Sequence, residues 1–456
     1  MTRYEDFLAA KTVSVAPAGL AEVPPLNGSL FDYQRAVTDF LLRCGRGAAF
    51  LDTGLGKTLI QLDWSRVVAE ETRCPVLVLA PLAVAGQTVR EGRKFGIPAQ
   101  VVGCQGEVRP GINVTNYEKL QHFRPEAFGG VVLDESSILK SFAGATTRKL
   151  IAAFAATPYR LACSATPAPN DHTELGQHSD FLGVMPSPEM LSRWFITDQS
   201  AMGRYRLKGH AVQAFWRWVA SWGRCLSRPS DLGFSDEGFT LPPLTFTRHV
   251  VSPAERRTQV GLFDVPETSA TAIHKAKRDS APARAAAIAD LVKADPGEPW
   301  IVWCDTDFEA DELKARIDGA VEVRGSMPAH LKERRLLDFT EGRLRVLVTK
   351  PSIAGFGLNW QHCARVAFVG LSYSYETYYQ AVRRCWRFGQ RRPVQVHVAL
   401  AESERATVDA VHRKAAEHDR MKAEMVAAMR EAGQAEGLRL PYRPAVPLQL
   451  PDWMAA

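Results

Sequence analysis

Two glycines, a lysine and a threonine stand together in Gly54-Leu55-Gly56-Lys57-Thr58, behind the apolar run AAFLDT and ahead of a helical pattern over residues 57–71. Glycine lets a backbone approach phosphate without a Cβ clash, and the N–H groups at a helix start then face the anion. In such a loop, Thr53 to Thr58 would wrap a triphosphate, Lys57 would reach the β- and γ-phosphates, and Thr58 would ligate Mg²⁺. The first glycine of the general pattern is missing, because Leu51 stands there. A helix start with a chance Gly-Lys-Thr is the plain alternative, and the strand ahead of it weighs against that. Alone, the loop says only nucleoside triphosphate.

VVLDESS puts Asp134 and Glu135 at the end of an apolar strand, where ligands bind in open α/β sheets. Asp134 can hold Mg²⁺ through water, and Glu135 can orient and deprotonate an attacking water. A strand followed by a polar turn would look the same, but the upstream loop favours the chemical reading. Further on, YYQAVRRCWRFGQRR carries Arg384 and Arg387, three apart and so on one face of a helix. A guanidinium brought to a γ-phosphate stabilises transition-state charge. Without the other motifs, a solvated basic face or a phosphate-backbone patch is the better reading of these arginines.

These residues need a scaffold. The chain has 456 residues, enough for about three ordinary domains or two large ones. Its 46% apolar and 23% charged content excludes disordered, collagen and coiled-coil classes for most of the length. Fifty-six basic and 50 acidic residues leave a net charge of +6, compatible with a polyanionic partner without proving one. Eight cysteines occur singly, with no C-x-x-C pair, which argues against zinc ribbons and a disulfide framework and for a reducing compartment. The N-terminus lacks the apolar stretch of a signal peptide. The most apolar run, residues 76–86, contains Pro81 and falls short of the ~20 residues of a membrane span. A cytoplasmic protein with no membrane partner is expected.

Short β-rich runs (GAAFLD, PVLVLA, INVTNY, GGVVLDE, RLACSA) alternate with helical patterns up to about residue 164, and the rhythm restarts with PWIVWC, AVEVRG, LRVLVTK, ARVAFVG and VQVHVAL. This predicts two parallel-sheet α/β lobes. Between them, residues 187–243 combine Trp194, Trp216, Trp218 and Trp222 with Arg204, Arg206, Lys208 and other basic residues. Trp216, Val219 and Trp222 read best as the buried stripe of a helix pair, and Arg204, Arg206 and Lys208 equally as structural or as phosphate contacts. Val408, Val411, Met421 and Met425 form an apolar stripe on a C-terminal helix. The expected division is an arm at 1–27, a first lobe at 28–186, the helical insert at 187–243, a second lobe at 244–400, and a helix and tail at 401–456.

In order, the motifs resemble helicase superfamily two, and more narrowly its Swi/Snf-type DNA-dependent ATPases in the short form found in phages and prophages. LFDYQRAV is similar to the adenine-reading entry motif, DTGLGKT to motif I, LVLAPLAVAGQTVRE to motif Ia, and DESSILKS to motif II. VTNYEKL resembles the DNA-contacting segment, SATPAPN motif III, and WIVWCDTDFEADEL motif IV. EVRGSMPAHLKERR, SIAGFGLNW and QAVRRCWRFGQRRPVQVH resemble the R-x-D-G-S segment, motif V and motif VI. The departures are Ser136 and Ser137 for the usual Ala and His of motif II, Arg383 for the usual Asp of motif VI, and Thr88 for the usual Trp of motif Ia. That His links hydrolysis to movement on DNA, so its replacement bears on coupling.

The resemblance implies tandem RecA-like lobes closing on ATP and Mg²⁺. It places Gln34 on the base, Gly355 and Gln380 at the nucleotide, and Thr115, Ser326 and Asn359 on DNA, with the insert as a DNA-flanking protrusion. It implies a translocase working as a monomer on duplex or branched DNA, with phage or host replication and recombination proteins as possible partners. A strand-separating DNA or RNA helicase and an ATPase subunit of a restriction or repair assembly are the rival readings. An inactive binding module would predict damage at Lys57, Glu135 or Arg387, and all three are intact.

Overall fold

The computed structural model describes residues 15–81, 84–140, 144–197, 205–251, 270–354 and 358–437. Two parallel sheets organise them, as expected of tandem RecA-like lobes. The first contains β1 (Arg46–Leu51), β2 (Val76–Ala80), β3 (Ala99–Val101), β4 (Ile112–Asn116), β5 (Gly130–Asp134) and β6 (Tyr159–Ser164). After a short antiparallel hairpin of β7 (Phe195–Thr197) and β8 (Tyr205–Leu207), β9 (Gly223–Leu226) completes the order β3-β4-β2-β5-β6-β1-β9. The second sheet contains β10 (Leu244–Val251), β11 (Trp300–Trp303), β12 (Val321–Val323), β13 (Val346–Thr349), β14 (Arg365–Phe368) and β15 (Val394–Ala401), in the order β10-β15-β14-β11-β13-β12.

Every residue of β2, β4 and β5 is buried, which explains their continuous apolar runs: helices cover both faces of a parallel sheet. Phe50, Leu79 and Leu133 belong to the core on one face, and Val78, Val132 and Leu161 to that on the other. Five strands escaped the sequence reading: β3, β7 and β8, of three residues each, β9, and β10, a largely exposed edge. Yet β10 pairs with β15 along its whole length, from Leu244 opposite Val394 to Val251 opposite Ala401.

The tryptophans of the 187–243 segment are core. Trp216 and Trp218 are 2% and 1% exposed, Trp222 is fully buried, and the Trp194 and Trp218 rings lie 4.7 Å apart. The segment also supplies β9, which pairs with β1. The 33-residue helix Arg405–Gly437 leaves the second sheet and crosses to the first lobe. Its Val408 packs in the core of the second lobe, while Met421, Met425 and Met429 enter that of the first. Trp216 donates to Glu424 at 2.7 Å, and the Cys225 N–H faces the Met429 sulfur at 3.0 Å.

Candidate functional site between the lobes

β1 ends at Leu51, and the chain turns through residues 52–56 into the helix Lys57–Thr72. Gly54 (φ +97°) and Gly56 (φ +73°) hold backbone conformations that favour glycine. At Gly54 a Cβ would also lie 2.7 Å from the backbone nitrogen of Phe388, and at Gly56 it would displace the end of the Gln34 side chain. No side chain caps the helix, so its first N–H groups remain available to an anion. Lys57 Nζ donates to the Leu51 carbonyl at 2.8 Å. Gln34 braces this loop: Nε2 donates to the Leu55 carbonyl at 3.1 Å and Oε1 accepts from the Phe31 N–H at 3.0 Å. Tyr33, missed in the sequence, donates to the same Leu55 oxygen at 2.9 Å.

The acids emerge from β5. Asp134 Oδ1 accepts from Gln61 Nε2 at 2.7 Å, and its carbonyl accepts from the Tyr117 hydroxyl at 2.6 Å. Glu135 takes a left-handed turn (φ +55°). Burial raises the pKa of both carboxyls, carrying Glu135 up to about 7 against the pull of Lys57. Burial also lowers Lys57, outweighing Glu135, Asp134 and Asp52.

The other wall comes from the segment after the helix Tyr375–Val382. Arg384 donates from Nε to the Gln380 carbonyl at 3.0 Å, from Nη2 to Gln380 Oε1 at 2.9 Å, and from Nη1 to the Leu358 carbonyl at 3.1 Å. Gln380 Nε2 in turn reaches Glu135 Oε2 across the cleft at 3.4 Å. Arg387 Nη1 lies 3.4 Å from the Leu358 oxygen, while its buried Nε has no hydrogen-bond partner among the described residues. Burial, with Arg384 alongside, lowers Arg387 to about 9.

Lys57, Thr58, Asp134 and Glu135 thus face Asn359, Arg384 and Arg387 around one open cleft of about 230 Å³. Burial works against the charged forms of Lys57, Arg384, Arg387, Asp134 and Glu135. A polyphosphate would relieve the three cations, and a divalent cation the two acids.

A second charged cluster spans the same interface. Buried Asp52, at the mouth of the phosphate loop, accepts from Tyr379 Oη at 2.9 Å, from Arg383 Nη2 at 2.9 Å, and from Lys422 of the C-terminal helix. Burial would raise the Asp52 pKa, but Lys422 and Arg383 outweigh it and hold it at about 2. Arg383, anomalous in its motif, is therefore the cross-lobe partner of Asp52. A further ion pair joins Lys140 to Glu376.

Several expected nucleic-acid contacts need correction. Thr115 is 1% exposed within β4, shielded from any polymer. Asn359 lines the cleft between the lobes, where its Oδ1 is buried without a partner among the described residues. Lys208 Nζ donates to the carbonyls of Ser192 and Arg193, each at 2.9 Å, and so caps the end of the helix Ser187–Trp194. Arg206 and Ser326 are exposed. Arg204, Gly355 and Gly357 lie outside the described residues. Gln61 and Lys422 carry no motif signal, whereas Tyr33, Asp52 and Tyr117 stood inside motifs without being singled out.

Residues 283–389 match the helicase conserved C-terminal domain. The match takes in β11 to β14 and both cleft arginines, and makes this stretch of the second lobe helicase-like, which in general terms implies ATP use and nucleic-acid binding. The chain is 24% identical over 444 residues to protein p41 of Acyrthosiphon pisum secondary endosymbiont phage 1, spanning 81% of this chain and 92% of that protein. No helix among the described residues is long and apolar enough to cross a membrane.

Proposed function

We propose that the chain is a DNA-dependent ATPase of the Swi/Snf type, which hydrolyses ATP between its lobes and moves along or remodels duplex or branched DNA. One observation carries this reading: Lys57, Asp134 and Glu135 of the first lobe and Arg384 and Arg387 of the second line a single cleft. Lys57 and the free N–H groups of its helix bind the phosphates. Glu135, its pKa raised by burial, is suited to take a proton from water near neutral pH. Arg384 and Arg387 meet the charge that develops on the transferred phosphoryl group.

Asp134 and Thr58 fit a magnesium ion, since both face the cleft and Mg²⁺ takes only one or two protein ligands beside phosphate and water. When bound, it would neutralise charge on the β- and γ-oxygens. Because the site spans two lobes, opening and closing of the cleft accompany each turnover. Sequence-independent phosphate contacts by each lobe would convert that motion into stepping. Exposed Arg206 and Ser326 supply candidate contacts.

The test is the ATPase rate with no nucleic acid, duplex DNA, single-stranded DNA, forked DNA and RNA, at two salt concentrations. Duplex or forked DNA should stimulate most, with affinity falling steeply in salt. Equal or stronger stimulation by RNA would move the chain to an RNA helicase, and no hydrolysis under any condition would leave a binding module.

A further inference from the structure

Asp134 and Glu135 are neighbours at a strand end, where successive side chains normally point to opposite faces. Both nevertheless face the cleft. The left-handed backbone of Glu135 (φ +55°) makes this possible. Among the described residues only Arg73 is another non-glycine with positive φ, and it closes a helix, where that conformation is common. A glutamate held this way is strained, and persists only if its surroundings over-determine it.

The residue that follows supplies the constraint. Ser136 is fully buried, and its Oγ lies 3.1 Å from His178 Nε2. His178, on the helix Leu175–Leu182, is fully buried too, and its Nδ1 lies 3.3 Å from the Glu174 carbonyl. A carbonyl only accepts, so Nδ1 carries the hydrogen and Nε2 presents its lone pair to the Ser136 hydroxyl, which donates. The Phe50 ring meets the imidazole at 5.3 Å and 89°, fixing its orientation from β1. Burial keeps the ring neutral, with its pKa lowered to about 4.

We propose that His178 is a positioning residue for Glu135: by accepting from Ser136 it pins the peptide after Glu135 and holds that carboxylate toward the cleft. This rests on the reading of Glu135 as the group that activates water.

The experiment compares steady-state ATP hydrolysis by the full chain, with saturating duplex DNA, for wild type, Ser136→Ala, His178→Leu, His178→Gln and the double variant Ser136→Ala/His178→Leu. Loss of the pin should lower kcat roughly tenfold in the first two variants while KM for ATP stays within about twofold. His178→Gln, whose Oε1 can accept where Nε2 did, should recover most of the rate. The double variant should be no slower than His178→Leu, since both changes break one bond. Ser136→Ala removes a single oxygen and carries the test even if His178→Leu does not fold. Wild-type kcat in Ser136→Ala, or equal rates in the Gln and Leu variants, overturns the pin alone. A wild-type protein that hydrolyses no ATP overturns the reading of Glu135, and the pin with it.

Discussion

Two clusters of buried charge bridge the lobes, and burial resolves oppositely in them. Around Asp52, three donors from the second lobe and the C-terminal helix converge on one carboxylate, and its pKa falls to about 2. Around Glu135, burial wins: the carboxyl rises to about 7, Arg387 falls to about 9, and Arg387 Nε and Asn359 Oδ1 lack partners among the described residues. A charge that its neighbours compensate belongs to a joint. Charges left under-compensated beside open space belong to a site completed by something that binds. The first cluster reads as the hinge pin of the interface, the second as the place where an anion and a metal enter.

The same carboxylate-to-amide change should therefore act in opposite directions. Glu135→Gln should abolish hydrolysis, by at least about 10³-fold, because an amide cannot take the proton. Yet it should raise stability. A carboxyl whose folded pKa lies above its unfolded value loses stability as pH rises from about 4.5 to 7, and Gln escapes that loss. Thermal melting at pH 8 should show a gain on the order of 1 kcal/mol or more.

Asp52→Asn should do the reverse and cost about 3–5 kcal/mol, since Arg383 and Lys422 keep their buried charges without a counterion. With a folded pKa near 2 against an ordinary 3.8, Asp52 stabilises the fold above about pH 4. That contribution fades as pH drops toward 2. Denaturant titrations across pH 2–6 should show this limb in wild type and its loss in Asp52→Asn. Equal destabilisation by Glu135→Gln and Asp52→Asn would erase the distinction.

Two smaller effects sharpen it. kcat/KM, which reports the free enzyme, should fall about tenfold per pH unit below about 7 as Glu135 takes up its proton. A flat profile down to pH 5.5 would mean that Glu135 is ionised without help. At the periphery, Lys208→Ala should cost about 1 kcal/mol through its lost helix cap and leave the salt dependence of DNA binding almost unchanged. Arg206→Ala should reduce that salt slope by about one.

Much of this was legible in the chain. Ten predicted runs are strands at nearly their expected positions, because parallel strands buried on both faces must be continuously apolar. Residues of the Gly54–Thr58 loop, Asp134, Glu135, Arg384 and Arg387, singled out by residue type and spacing, line one cleft in the fold. Long-range pairing was not legible. Nothing local marks Lys422 as a partner of Asp52, 370 residues away, or His178 as the acceptor for Ser136. Arg383 stood out in sequence only as an oddity, and its meaning depended on Asp52 across the cleft. Thr115 and Asn359 went the other way: the family resemblance implied DNA contacts, and the fold puts one inside the sheet and the other in the cleft between the lobes.

The central claim is that two halves of the chain make one catalytic site. Arg387 tests it most directly, because it lines the cleft from the second lobe. Single-turnover ATP hydrolysis and ATP affinity should be measured for wild type, Arg387→Ala and Arg387→Lys with saturating duplex DNA. The account predicts a hydrolysis rate lower by roughly 10³-fold in the Ala variant, little rescue by Lys, which lacks the planar fork, and affinity changed far less than rate. Near-normal single-turnover rates in both variants would contradict it and leave the first lobe to act alone.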